Sequence, residues 1–317
     1  MKAARIISPK RYEIVDDDIP ALEDDKVLVR LLRTVICGSD IPYFSVSYKK
    51  ESYPFPLGYP GHECLGIVEE TRNNEFKIGD RVMYYPTSLE GFKEYHLTDA
   101  SRLQMLPKEG DLNKLSMTQI LGSVAHSAFR IDRPYKKCVA IMGQGPVGLL
   151  FTSLMKNLGA NAIIVIDPLE YRLEVAKRMG ADFIINPKEG NAVDSISEIT
   201  NGEMADIVID AYGQDVEAIN QCFDISCHNG QIAFFGICLE ESPRLNFNIF
   251  FRKELRMIAS VGPEVMVDYP YALNMILKNS IDVTPLITHE LPFEEIQKGF
   301  EIATNRLDNV IKVVLTF

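Results

Sequence analysis

Hydrophobic and polar positions follow two rhythms along this chain. In the first third, apolar residues come in short β-branched runs, over 27–36 and 65–69, and again over 81–85 behind the turn Gly79-Asp80. Pro54, Pro56, Pro60 and Gly58 break the stretch between them into loop, and helical spacing appears over 112–130. From residue 138 the rhythm becomes strand, helix, strand, helix. A strand over 138–142 leads to a helix over 146–158 that stops at Gly159; a strand over 162–166 leads to a helix over 169–179 that stops at Gly180. Runs at 183–185, 207–209 and 232–235 continue the alternation. This predicts an α/β chain with a doubly wound parallel sheet covered by helices, next to a β-rich domain. The expected boundaries are 1–125 for the β-rich part, 126–262 for the α/β part and 263–317 for a return segment. That segment, closing with a strand over 310–315, is too short to fold alone and is expected to pack on the first domain.

Composition narrows the class. A chain of 317 residues is too long for one small core. With 46% hydrophobic and 24% charged residues it is expected to be globular rather than disordered. The formal net charge of −11 weighs against nucleic acid and anionic membrane surfaces as partners. Six cysteines form no dense framework, so a disulfide-stapled scaffold is not expected. No run is long enough for a membrane span and no targeting segment is evident, which makes the cytoplasm the expected compartment.

The segment Gly143-Gln144-Gly145-Pro146-Val147-Gly148 follows a predicted strand and opens a predicted helix. Its glycines allow a tight turn, close approach to a pyrophosphate and close helix–strand packing, and the helix N-terminus offers unpaired N–H groups to phosphate. Asp167 closes the next strand, where a carboxylate accepts both ribose hydroxyls and repels a 2′-phosphate, so NAD(H) is the expected cofactor. Arg172 follows in the next helix, either leaning over the adenine or lying on a solvated face.

Two further segments carry candidate metal ligands. Cys37-Gly38-Ser39-Asp40 lies at a predicted strand end, and Gly61-His62-Glu63-Cys64 follows the proline-broken loop. Thiolate, imidazole and carboxylate are the ligand set of a catalytic zinc. Taken singly, a cysteine is more often packing and a histidine more often structural.

Together these segments, with Gly79-Asp80-Arg81-Val82, Gly91-Phe92-Lys93-Glu94-Tyr95 and Ile287-Thr288-His289, resemble the zinc-dependent medium-chain alcohol/polyol dehydrogenase family almost end to end. The resemblance implies a GroES-like catalytic domain into which a Rossmann domain is inserted. It implies that Cys37 and His62 are zinc ligands. Glu63 resembles the carboxylate that binds zinc directly in sorbitol dehydrogenases and sits just behind it in other alcohol dehydrogenases. Asp40 resembles the carboxylate that orients the ligand imidazole, and Ser39 the hydroxyl that takes the substrate's proton. Cys64 reads as packing.

The chain departs from the family in three places. The third-ligand position holds Gln119, a neutral amide, so the expected site is Cys37, His62 and Glu63 with water, and Gln119 bonded to that water or to substrate. Pro42 replaces a relay histidine and cannot pass a proton, although the Cys-Gly-Ser-Asp-x-Pro pattern also occurs in galactitol-phosphate-type relatives. The stretch Tyr85-Pro86-Thr87-Ser88-Leu89-Glu90-Gly91 lacks the four cysteines of a structural-zinc lobe. One catalytic Zn2+ per chain and no structural zinc are therefore expected. Cys138, Cys222, Cys227 and Cys238 have no ligand spacing and read as core or surface thiols.

The expected reaction is hydride transfer between NAD(H) and a secondary alcohol or ketone, with a polyol, sugar or cyclitol favoured by Tyr43, Phe44 and Tyr59 as candidate pocket walls. The resemblance implies a homodimer or homotetramer built through sheet edges. A zinc-free enone or quinone reductase and a non-catalytic nucleotide-binding relic are the competing readings; the set Cys37, His62 and Glu63 speaks against the first, and Cys37, Ser39, Asp40 and His62 together speak against the second.

Overall fold

The computed structural model describes every residue except Leu239. It divides into two compact units. The first comprises Met1–Ile120, Glu264–Ile276 and Val283–Phe317; the second comprises Leu121–Pro263 and Leu277–Asp282. The division falls between Ile120 and Leu121, inside a helix, rather than after residue 125. Leu277–Asp282 joins the second unit, so the return segment is interrupted rather than continuous.

The first unit opens with β1 (Lys2–Ser8) and β2 (Arg11–Asp16), an antiparallel hairpin. Then come β3 (Lys26–Val35), β4 (Glu63–Thr71), β5 (Arg81–Tyr84), β6 (Tyr95–Asp99) and β7 (Leu103–Met105). The second unit supplies β8 (Cys138–Met142), β9 (Ala162–Ile166), β10 (Phe183–Ile185), β11 (Ala205–Asp210), β12 (Ser226–Phe234) and β13 (Arg256–Ala259). The chain returns to the first unit for β14 (Ile287–Pro292) and β15 (Lys312–Thr316).

In the first unit β3 is the hub. It pairs with β4 along its length, with β6 at its start and with β15 at its end, in the sheet order β14-β15-β3-β4-β5-β7. Along it Val27, Val29 and Leu31, at alternate positions, are fully buried, while Lys26, Arg30 and Arg33 are not. Val27, Val29 and Leu31 pack with Val68, Val82 and Tyr84; a second core gathers Phe44, Phe92, Phe293 and Phe300.

The second unit is a six-stranded parallel sheet of order β10-β9-β8-β11-β12-β13. The strand order reverses between β8 and β11, and ligands of such sheets bind beyond the carboxyl ends of the strands there. Val139, Ile141, Ile163, Val165, Ile207 and Ile209 are fully buried, as strands covered on both faces require.

Several elements differ from the reading above. The helix over 112–130 is broken at Met117 into Leu112–Ser116 and Thr118–Ala128. Ser116 Oγ donates to Asn113 O at 2.7 Å and Thr118 Oγ1 to Leu115 O at 2.7 Å, so hydroxyls compete for the backbone at the join. The hairpin β1–β2 and the edge strand β13 carried no clear run. Most of β13 is exposed, so no apolar pattern marks it.

Candidate metal centre and dinucleotide loop

β3 ends at Val35, and Val35 pairs with Glu63 at the start of β4. That register brings the segment after β3 beside the segment before β4. One ligand atom each from Cys37, His62 and Glu63 lies within 4.8 Å of the others. Asp40, fully buried, ties the arrangement together. Its Oδ2 accepts the Cys37 N–H at 2.9 Å, and its Oδ1 lies 3.1 Å from His62 Nδ1. Pro60 O lies 3.2 Å from the same nitrogen. Nδ1 is thereby committed to these oxygens and Nε2 is turned to the other side, where Ser39 Oγ lies at 3.4 Å. Burial opposes a charged His62, yet Asp40 and Cys37 outweigh it and raise its pKa well above the ordinary range. A pocket that draws positive charge so strongly, with thiol, imidazole and carboxylate converging and a carboxylate behind the imidazole, fits a zinc ion.

Glu63 has a partner that the sequence reading missed. Both of its oxygens lie 2.7 Å from Lys312 Nζ. The two side chains are 0% and 1% exposed, and Nζ also lies 3.3 Å from Ile36 O. The signal was available: Lys312 interrupts the apolar run from Val310 to Leu315, and a charge inside a buried strand needs a partner.

Gln119, the second residue of the helix Thr118–Ala128, is buried and hydrogen-bonded to the Tyr269 hydroxyl. Tyr269 sits on the helix Val265–Leu277 of the same unit. Burial raises its pKa, and its hydroxyl is within electrostatic reach of Tyr85, His62 and Glu63. The Tyr85 ring stands 5.7 Å from the His62 ring. Neither tyrosine was picked out from the sequence.

Of the expected pocket walls, Tyr43 and Tyr59 meet edge to face at 5.0 Å, and their hydroxyls are hydrogen-bonded. Tyr48 and Phe55 extend this cluster. Phe44 does not belong to it. It is 1% exposed and packs 5.7 Å from Tyr12 and 5.1 Å from Phe300, inside the core that Tyr43 meets only at its margin.

In the second unit, Gly143 has φ +88°, and a Cβ on Gly148 would stand 1.9 Å from Gly143 O. The first position needs a left-handed turn, and the last needs the helix pressed against it. A Cβ on Gly145 would meet only Arg172, at 3.8 Å, so that side is open to a phosphate. The helix Pro146–Asn157 begins with Pro146 and Val147. Asp167 Oδ2 accepts the Gln144 N–H at 2.7 Å and its Oδ1 the Leu169 N–H at 2.9 Å. Arg172 lies 3.6 Å from Asp167 and its side chain is 17% exposed, so it is not a solvated helix face. Gln144, unremarked in the sequence, is fully buried. Its Nε2 donates to Gly143 O at 3.0 Å and its Oε1 accepts from Thr152 at 3.0 Å.

Residues 23–126 match the family model described as alcohol dehydrogenase GroES-like domain, and residues 146–278 match that of zinc-binding dehydrogenase. The L-threonine 3-dehydrogenase of Caldanaerobacter subterraneus subsp. tengcongensis is 30% identical, over 92% of this chain and 91% of the relative. The chain belongs to the zinc-dependent alcohol dehydrogenase family. It is an oxidoreductase with a GroES-like domain and a Rossmann domain, and membership implies Zn2+ and NAD(H). The D-arabitol-phosphate dehydrogenase of Enterococcus avium is 29% identical over 95% of this chain and 92% of its own. The alcohol dehydrogenase of Thermus sp. ATN1 superposes with a TM-score of 0.90 at 22% identity, covering 100% of both chains, which shows the shared fold. Among the described residues, no helix is long and apolar enough to cross a membrane.

Proposed function

We propose that this chain holds one catalytic zinc and no structural zinc, and that it oxidises a secondary alcohol of the polyol or sugar type with NAD. The observation that carries the reading is the convergence of Cys37, His62 and Glu63 in front of Asp40. When bound, zinc supplies the Lewis acidity that makes a hydroxyl easy to deprotonate, and NAD supplies the hydride acceptor. The protein's own residues do the rest. Asp40 keeps His62 in one tautomer and one orientation. Ser39 Oγ takes the proton from the substrate hydroxyl, and Pro42, with no ionisable side chain, does not take it onward. Asp167 receives the adenosine ribose, Gly145 and the first turn from Pro146 cradle the pyrophosphate, and Arg172 flanks the adenosine. Tyr43 and Tyr59 offer ring faces and hydroxyls to a polyhydroxylated substrate, and Gln119 a polar contact beside Tyr269. The compounds in the relatives' names, L-threonine and a D-arabitol phosphate, both carry a secondary hydroxyl.

The protein is proposed to work in the cytoplasm as a homodimer or homotetramer. The outer edge of β13 supports the assembly: it has no strand partner among the described residues, and Phe247 and Phe251 nearby in sequence are 68% and 72% exposed. Metal analysis and an NAD-reduction screen over polyols, sugar phosphates and simple secondary alcohols test the reading. Zinc near one per chain with turnover on a polyol is expected. A metal-free protein that reduces enones with NADPH would overturn it.

A further inference from the structure

Cys138 and Cys227 lie 89 positions apart in the chain, and the dehydrogenase reading gives neither a task. They meet in space at the end of the parallel sheet opposite the glycine loop. There a cavity of about 550 Å³ is lined by residues from the amino ends of β8, β9, β10, β11 and β12, and by the loop that follows the helix Ala192–Ile199. We propose that Cys138 and Cys227 together bind one soft metal ion in this cavity, a two-coordinate ion of the cuprous type, with Met204 as a third, weaker donor.

Register puts the two thiols in one row. Val139 pairs with Ile207, and Ser226 with Ala205. One step from each pair, Cys138 and Cys227 flank Asp206 of the central strand, in the order β8-β11-β12. Asp206 fastens the row: its Oδ2 accepts the Cys138 N–H at 2.7 Å. Residues at one level of a parallel sheet share a face, and both cysteines line the cavity together with Met204.

Distance then selects the ligand. Two strand spacings of about 4.8 Å set the two Cα atoms about 9.6 Å apart. A disulfide reaches no further than about 7 Å. An ion between the sulfurs replaces one S–S bond of about 2 Å by two metal–sulfur bonds of about 2.3 Å in line, and so extends the reach by about 2.6 Å, which closes the gap. A tetrahedral ion bends the link and falls about 1 Å short. Zinc is therefore a poor fit and a linear ion a good one. Donor chemistry agrees, since thiolate and thioether sulfur select cuprous ion over harder ions. Charge agrees as well: Asp182, Glu203 and Asp206 line the cavity, and among the described residues no Lys, Arg or His does. Burial, with Asp206 beside it, pushes the Cys138 thiol up to about 11, and burial also raises Cys227. Both react slowly with oxidants in that state, so the pair persists as free thiols. On binding, two S–H bonds break, two sulfur–metal bonds form and two protons leave to water; no electron is transferred. The bound ion ties β8 to β12 across β11, at the end of the sheet away from the glycine loop, and stabilises the second unit without blocking that loop.

The test titrates the full chain with cuprous ion held by a competing chromogenic chelator, without oxygen. One cuprous ion per chain is expected, with zinc content unchanged. The thermal midpoint should rise by about 5 °C at a hundredfold excess over the dissociation constant. Cys138→Ser and Cys227→Ser should each abolish both the uptake and the thermal shift, because the ion needs both sulfurs. Met204→Leu should weaken the uptake several-fold, and Cys238→Ser should leave it as in the parent. Uptake that survives either serine variant, that halves in each, or that proceeds only as zinc is lost would overturn the proposal, and so would a parent protein that takes up no cuprous ion. If a serine variant does not fold, Cys138→Ala or Cys227→Ala decides in its place.

Discussion

The two polar centres of this molecule are assembled over different distances along the chain. In the dinucleotide loop, every contact among Gly143, Gln144, Asp167, Leu169 and Arg172 closes within a short stretch, and Asp167 is held by backbone N–H groups. At the metal centre, Glu63 and Lys312 are 249 positions apart, and Glu63 is held by a side chain. The first centre depends on a local turn. The second depends on strand register across a sheet, because a one-residue slip of β15 would turn Lys312 to the opposite face. Damage to the loop should therefore stay with the cofactor, and damage to the sheet should reach the metal.

The largest effect is expected for Cys37→Ser. A serine hydroxyl is a poor zinc ligand beside the lost thiolate, so metal analysis should find the ion largely gone and turnover reduced by more than about a thousandfold. Near-normal turnover without metal would leave the sheet-built centre with no part in the chemistry. Gly148→Ala comes next. Its Cβ would stand 1.9 Å from Gly143 O, so the loop must open. A loss of about 2–4 kcal/mol of stability and at least about tenfold weaker NAD binding are expected, with zinc content unchanged. Zinc loss in that variant would mean the two centres are not independent.

Asp167→Ala removes the acceptor of the Gln144 and Leu169 N–H groups and the ribose contact. It should raise the KM for NAD about tenfold and relax the choice between NAD and NADP. Unchanged preference in steady-state kinetics would take the ribose away from Asp167. The smallest effect concerns a histidine outside both centres. His96 is buried, its Nε2 lies 2.8 Å from Lys93 O, and burial lowers its pKa to about 3. The unfolded chain takes up a proton near the ordinary 6.5 and the folded chain does not. Stability from neutral His96 is therefore present above that pH and drains away as pH falls toward about 3. Urea unfolding from pH 7 to 4 should show a shallower acid slope for His96→Gln than for the parent; parallel slopes would contradict the burial argument.

The same difference in range explains what could be read from the chain. The strand–helix alternation from β8 to β10, the glycine turn and Asp167 all obey local rules, so their positions follow from spacing. Cys37, Asp40, His62 and Glu63 were legible as two short segments through family resemblance, but their mutual placement needed the pairing of Val35 with Glu63. Lys312 and Tyr269 were not found, because each acts on a residue far away in the chain and neither belongs to a motif. Phe44 was misplaced for a related reason: successive residues of a helical turn point about 100° apart, and only the core packed behind Ile41–Ser45 decides which of them is fully buried. Gln144 hid in a variable position of a familiar glycine pattern.

β15 is made long after the segments it completes. Its place in the sheet, between β14 and β3, stays empty while the Cys37 and His62 segments are already made, and Glu63 waits without its counter-charge until Lys312 arrives. Assembly of the metal centre is thus coupled to synthesis far downstream of its ligand segments.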